Sequence, residues 1–239
     1  MYQAIALGFC APIQGLPTDD IYGTARYKDD KAVAIGIVAT GIMYNKKVFD
    51  ERKWAAPTSW KDLKDPKYKK QLVVPPLNNT YGLHALVEYA REGGGGEKKI
   101  DAGFKTFKDE VGPNVLFYEP SPGKMTELFS SGQATIAVWG SGRVKAFADT
   151  GFPVGFVYPQ EGAYALLSSV CPVAKANANP RAQAFVNYLA VSYTHLFGDR
   201  QQAVAEHLHA DRVGQGHAGV LPGLTGFLGF THGSLLANG

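Results

Sequence analysis

The stretch from Lys31 to Asn45 constrains the fold more than any other. It is apolar, rich in Val and Ile, and punctuated by Gly36 and Gly41. β-branched side chains fit a pleated surface, and a continuous apolar run suits a strand covered on both faces. A buried strand or two is therefore expected here.

Downstream, strand and helix signals alternate. Pro57-Thr58-Ser59-Trp60 opens a short helix, with Ser59 as its cap and Asp62 at its positive end, and Asp65-Pro66 stops it. Gln71–Val74 reads as a strand ending at Pro75-Pro76. Asn78-Asn79-Thr80 offers caps for a helix over about 81–92, whose Leu83, Leu86, Val87 and Ala90 recur at helical spacing. Gly93–Gly96 ends it; without a following Gly-Lys-Ser/Thr, this run is a turn and not a P-loop. Val115–Tyr118 predicts a strand, then a helix with Met125, Leu128 and Phe129 inward, a strand over Thr135–Trp139, and a helix from Gly140-Ser-Gly-Arg143. Further strands are expected at Phe156–Tyr158, Ala163–Leu167 and Val170–Ala174, and a helix after Asn179-Pro180 with Phe185, Val186 and Leu189 inside. The class is α/β with a largely parallel or mixed sheet.

Composition excludes some functions. A net charge of +3 gives no case for nucleic acid, and Lys67, Lys69 and Lys70, like Lys98 and Lys99, sit beside Asp65, Glu97 and Asp101 as on a solvated face. No apolar run approaches the ~20 residues that cross a bilayer. Cys10 and Cys171 are far apart without metal spacing; pairing is open, and free, buried thiols are the expectation. Leu7-Gly-Phe-Cys10 is loosely similar to a lipoprotein box, with Phe9 where a small residue belongs. Beyond Val191 the character changes. Lys175 is the last lysine, five of six histidines follow Val191, and Gly214–Gly239 is glycine-rich. Val191-Ser-Tyr-Thr-His-Leu196 resembles a translated frame of a transposon-end adapter, so 191–239 is expected to be a non-native or disordered tail.

Seven segments occur in an order that carries a resemblance: Ala39–Phe49, Thr58–Leu63, Asp65–Pro75, Asn79–Gly82, Ala137–Gly140, Tyr158–Gly162 and Asn179–Leu189. Over about residues 1–190 the chain resembles the extracellular solute-binding proteins of polyamine, iron and related ABC importers. The resemblance implies a two-lobed fold of the type II periplasmic-binding class, with mixed sheets and a hinge of two crossing strands. Residues 1–40 would be the remnant of an incomplete first lobe, 41–163 the second lobe, and 164–190 the return crossing with a first-lobe helix. It also implies an upstream segment with a signal peptide, Met1 being an internal start. A small-molecule solute and a permease would be the partners of a periplasmic or extracellular monomer that captures solute by cleft closure, with a lipid anchor as a further option.

Helix starts that follow strands expose backbone N–H groups to polar or anionic ligands. Asn79, Thr80 and Tyr81 form one such start; Ser141 and Arg143 form another, and Arg143 can clamp a carboxylate or phosphonate. Trp139 offers a stacking wall, Thr40 and Gly41 mark the first crossing, and Glu161 and Tyr164 flank the second. Each has a structural alternative: cap, core ring or solvated charge. By the resemblance, Leu166 and Ser168 stand where polyamine binders carry Trp and Asp, so an anionic or zwitterionic solute is expected. For iron, Tyr81, Tyr118, Glu119, Tyr158 and Tyr164 are oxygen donors, but no two tyrosines are adjacent.

Nothing marks an enzyme, a metal centre or a cofactor site. Ser141 lacks the Gly-x-Ser-x-Gly spacing, and His84 is the one histidine ahead of the tail. His207 and His209 do not have the usual helical ligand spacing. The alternatives are an enzyme or ligand-sensing domain on the same fold, or a gene fragment without function.

Overall fold

The apolar run folds as one strand, β1 (Val33–Asn45). In the computed structural model the described residues are 1–191, except Tyr22, Ala176 and Asn177, together with the short strands Gly219–Leu221, Leu228–Thr231 and Ser234–Ala237. Most of the 191–239 tail, including His207 and His209, lies outside the described residues. The chain divides into two units: Met1–Val38 with Ala165–Leu221, and Ala39–Tyr164 with Pro222–Gly239.

In the second unit the latter half of β1 pairs antiparallel with β4 (Ile136–Gly140) and also with β5 (Val154–Val157). β2 (Leu72–Val74) runs parallel to β4 on one side and to β3 (Val115–Tyr118) on the other. The result is a mixed sheet in the order β3-β2-β4-β1-β5. Every residue of β2 and β4 is buried, as strands covered on both faces require. On one face Met43, Val73, Ala137 and Trp139 pack with Met125, Leu128 and Phe129 of α5 (Pro122–Ser130) and Val144 and Phe147 of α6 (Ser141–Ala148).

α3 (Thr80–Glu92) starts at the Asn79 cap. Its buried surface is wider than the apolar stripe predicted, because α4 (Asp101–Thr106) packs against it as well. Leu83, expected inside, is 45% exposed, while His84 and Glu88 are buried. α4 carries too few apolar residues to be legible in advance. The Ser59 cap forms as expected: Ser59 Oγ accepts from Lys61 N at 3.0 Å, and the Asp62 carboxylate accepts from Thr58 and Ser59 N–H at 2.7 and 3.0 Å.

In the first unit α1 (Tyr2–Ala6) leads to a segment bound against residues from the far end of the chain. Of the three strands predicted over 156–174, the last two are largely one: β6 is Ala163–Val170, and beyond it Val173 forms an isolated bridge to Cys10. Ala11 N–H donates to Pro172 O and Ala174 N–H to Phe9 O, both at 2.9 Å. These bonds bring Cys10 and Cys171 together as a disulfide, Cα to Cα 5.6 Å, so the expected free thiols are paired. The last helix, α7, spans 182–191. It buries Val186 and Ala190 against Ile13, Ile21 and Val33. Phe185, expected inside, is 61% exposed, because it lines an apolar groove with Val173 and Leu189 and does not enter that core.

The disulfide closes a chain separation of 161 residues. Reduction, or Cys171→Ser, is expected to cost about 2–5 kcal/mol, read as a lower urea midpoint, with m rising as the unfolded chain loses its cross-link. An unchanged midpoint would show that the bridge contributes nothing.

Candidate functional site

The strand β4 delivers two things to one corner of the second unit: Trp139, and the start of α6 at Gly140. Trp139 is 3% exposed and belongs to the core, so it backs the corner and does not offer an open stacking face. Tyr81, in the first turn of α3, meets Trp139 edge-on at 5.4 Å between ring centres. Its hydroxyl covers Gly140 so closely that a Cβ there would overlap it. α6 begins without a side-chain cap. Its first-turn N–H groups therefore lack the usual side-chain acceptor, a setting that favours anions.

Ser141 Oγ accepts from Ala39 N–H at 3.1 Å, which ties the corner to β1. Arg143 is exposed and forms no hydrogen bond or ion pair among the described residues. Burial raises the Tyr81 hydroxyl pKa, and the Arg143 charge opposes that rise, so the two groups act on each other. Thr40 and Gly41 stand opposite Gly140 and Trp139 in the β1–β4 register. Gly41 must be glycine: a Cβ would overlap the Val157 carbonyl and the Phe156 ring.

Other candidates are committed elsewhere. Asn79 Oδ1 accepts from Tyr81 N at 2.9 Å as a helix cap, with Thr80 exposed beside it. Glu161 accepts from the Ser59 hydroxyl and from Trp60 N–H, so it secures the Ser59 turn. Tyr164 is fully buried and donates to Glu88 Oε2 at 2.9 Å. The structure thus groups Thr40, Gly41, Tyr81, Trp139, Ser141 and Arg143. It gives Asn79 and Glu161 capping work, and places Tyr164 in a buried polar cluster.

Two members of that cluster escaped the sequence reading: His84, noted only as a lone histidine, and Glu88. Thr40 Oγ1 lies 2.7 Å from His84 Nδ1, a hydrogen bond whose direction the histidine tautomer sets. The Tyr164 ring stacks on His84 at 5.0 Å. Burial lowers the His84 pKa to about 4, and burial raises that of Glu88 while the Tyr164 hydrogen bond opposes the rise. A histidine and a glutamate one turn apart on a helix with an apolar stripe were the available signal; which face they occupy was not.

Comparison with known proteins identifies the family and the fold in which this corner lies. The sequence profile of the bacterial extracellular solute-binding protein family matches residues 3–195, and the chain belongs to that family. Among solved structures, the periplasmic binding protein AfuA from Actinobacillus pleuropneumoniae, with exogenous fructose-6-phosphate bound, aligns over 86% of this chain at 20% identity and TM-score 0.65. Apo FutA2 from Synechocystis PCC6803 aligns over 86% at 17% and 0.56, and the ferric binding protein from Campylobacter jejuni over 79% at 21% and 0.59. The fold is therefore that of the type II periplasmic binding proteins. The chain spans 63%, 66% and 61% of those proteins, less than two thirds in each case. No curated protein sequence matches the chain. No helix among the described residues is long and apolar enough to cross a membrane.

His84 makes stability pH-dependent. Its folded pKa of about 4 lies below the unfolded value of 6.5, so the unfolded chain binds more protons between them. Its contribution is complete above pH 6.5 and falls as pH drops toward 4. The expected loss is up to about 3 kcal/mol. Glu88, raised, acts in the opposite sense, its contribution being lost as pH rises. Urea midpoints across this range should fall with acid in the wild type and much less in His84→Asn; equal slopes would contradict the assignment.

Proposed function

We propose that the chain is the greater part of a receptor that binds a small polar solute, anionic or zwitterionic, and presents it to the permease of an ABC importer outside the cytoplasmic membrane. The observation that carries the anionic reading is the uncapped start of α6, with Arg143, unpaired among the described residues, and the Tyr81 hydroxyl beside it. An arginine fork and backbone N–H groups together suit a carboxylate, phosphate or phosphonate. AfuA, whose structure holds fructose-6-phosphate, supports that choice by analogy. Ferric ion is favoured less: it needs clustered oxygen anions, whereas Tyr164 is bound to Glu88 and Glu161 to Ser59. Catalysis has no support from the cluster around His84, which is buried and faces Thr40 and Tyr164.

A thermal-shift screen with fructose 6-phosphate, inorganic phosphate, sulfate, amino acids, spermidine, thiamine and ferric citrate tests the reading. An anion at 100 times its Kd should stabilise the fold by about 2.7 kcal/mol. Arg143→Ala should remove most of that response without lowering the unliganded midpoint. A response to spermidine or iron alone, or an anion response untouched by Arg143→Ala, would overturn the anionic reading.

A further inference from the structure

His84 and Glu88, on the middle of α3, are outside the binding corner as described and are linked to it through Thr40. His84 and Glu88 are 4% and 7% exposed, on a helix whose Ala85, Leu86, Tyr89 and Ala90 are buried as well. Replacing buried polar groups with apolar ones of similar shape is often neutral for stability, so what such groups add is a defined register. Their partners locate that register. Thr40, bound to His84 at 2.7 Å, lies beside the residue where the chain enters the second unit. Tyr164, bound to Glu88 at 2.9 Å and stacked on His84, lies where the chain leaves it. One turn of α3 is thus keyed to both points.

Tyr81 stands one turn before His84 on the same helix. Its contact with Gly140 has no slack, since even a Cβ would overlap its hydroxyl. Rotation or sliding of α3 by a few tenths of an ångström would therefore move the Tyr81 hydroxyl relative to the start of α6.

We infer that His84 and Glu88 are positioning residues for the solute site: they set the rotation and depth of α3, and so hold Tyr81 beside Arg143 and the first turn of α6. This rests on the anionic reading of that corner. Protonating His84 would give Thr40 a cation in a site built around a neutral ring. The other titratable groups acting on the cluster are Tyr164 of β6, Arg91 and Glu92 of α3, Glu97 between α3 and α4, and Glu161 ahead of β6; the Arg91 guanidinium lies 5.7 Å from the Tyr164 ring centre. From β1, Thr40 brings no charge.

The test uses the full chain labelled with 5-fluorotryptophan, its resonances assigned with single Trp→Phe variants. Lowering the pH from 7 should shift the Trp139 resonance with a midpoint near the His84 pKa of about 4, while Trp54 stays put. His84→Asn keeps a hydrogen-bond partner for Thr40 but does not titrate, so the step should vanish there. Sulfate, a dianion over this range, is the binding probe. Its affinity at pH 7 should fall about tenfold in His84→Ala and be restored in His84→Asn to within about threefold. A Trp139 step that persists in His84→Asn, or undiminished sulfate affinity in His84→Ala, would overturn the inference. Should His84→Ala fail to fold, the pH step and its loss in His84→Asn still decide. If sulfate binds no form at any pH, the anionic reading fails, and the Trp139 step alone shows whether His84 positions Tyr81.

Discussion

The latter half of β1 is paired on both of its edges, to β4 and to β5, and the second unit is arranged around it. A strand so placed has no freedom to slip: a shift of one residue would turn every side chain to the opposite face. Gly41 tightens the constraint, because the Val157 carbonyl and the Phe156 ring occupy the space a side chain would take. From that register follow the position of Thr40 opposite Gly140, the place where α6 begins, and the polar partner that α3 must supply.

Among the described residues, the polar groups buried around this frame are matched to partners, save the Tyr68 hydroxyl. Asn114 Nδ2 donates to the carbonyls of Leu63 and Asp65, Trp60 Nε1 to Gly162 O, and the Tyr89 hydroxyl to Trp60 O. Each bond is worth only about 1 kcal/mol net, but leaving any one unmade costs more than that. The same asymmetry makes the His84–Thr40 and Glu88–Tyr164 pairs matter, because each requires its partner strand to arrive at one place. Arg143, by contrast, is an exposed charge beside Tyr81 that is left unpaired among the described residues.

The first unit solves a different problem. It is made from two pieces of chain far apart in sequence, and its small core joins Ile13, Ile21 and Val33 to Val186 and Ala190. The Gln183 side chain bonds the backbone at Pro12 and Gln14, and Asn187 Nδ2 that of Gln14. The Cys10–Cys171 disulfide adds a covalent bridge between the same two pieces.

What the sequence determined by itself was local. The continuous apolar run of β1, the Ser59 and Asn79 caps, the inward trio Met125, Leu128 and Phe129, and the order of strands and helices all follow from side-chain shape and short-range hydrogen bonding. So did the family, because seven short segments recur in order along one line of chain. The structure alone decided what depends on a second segment arriving from a distance. It paired Cys10 with Cys171, turned Phe185 outward and Glu88 inward, and gave Glu161 to Ser59 when the sequence had offered it to a ligand. It also turned Trp139 into the wall behind Tyr81. The physical reason is that periodicity and capping energies are set by neighbours a few residues away. The fate of a polar or apolar group at a given face is set by whichever surface covers that face, and the covering surface is known only once the chain has folded back on itself.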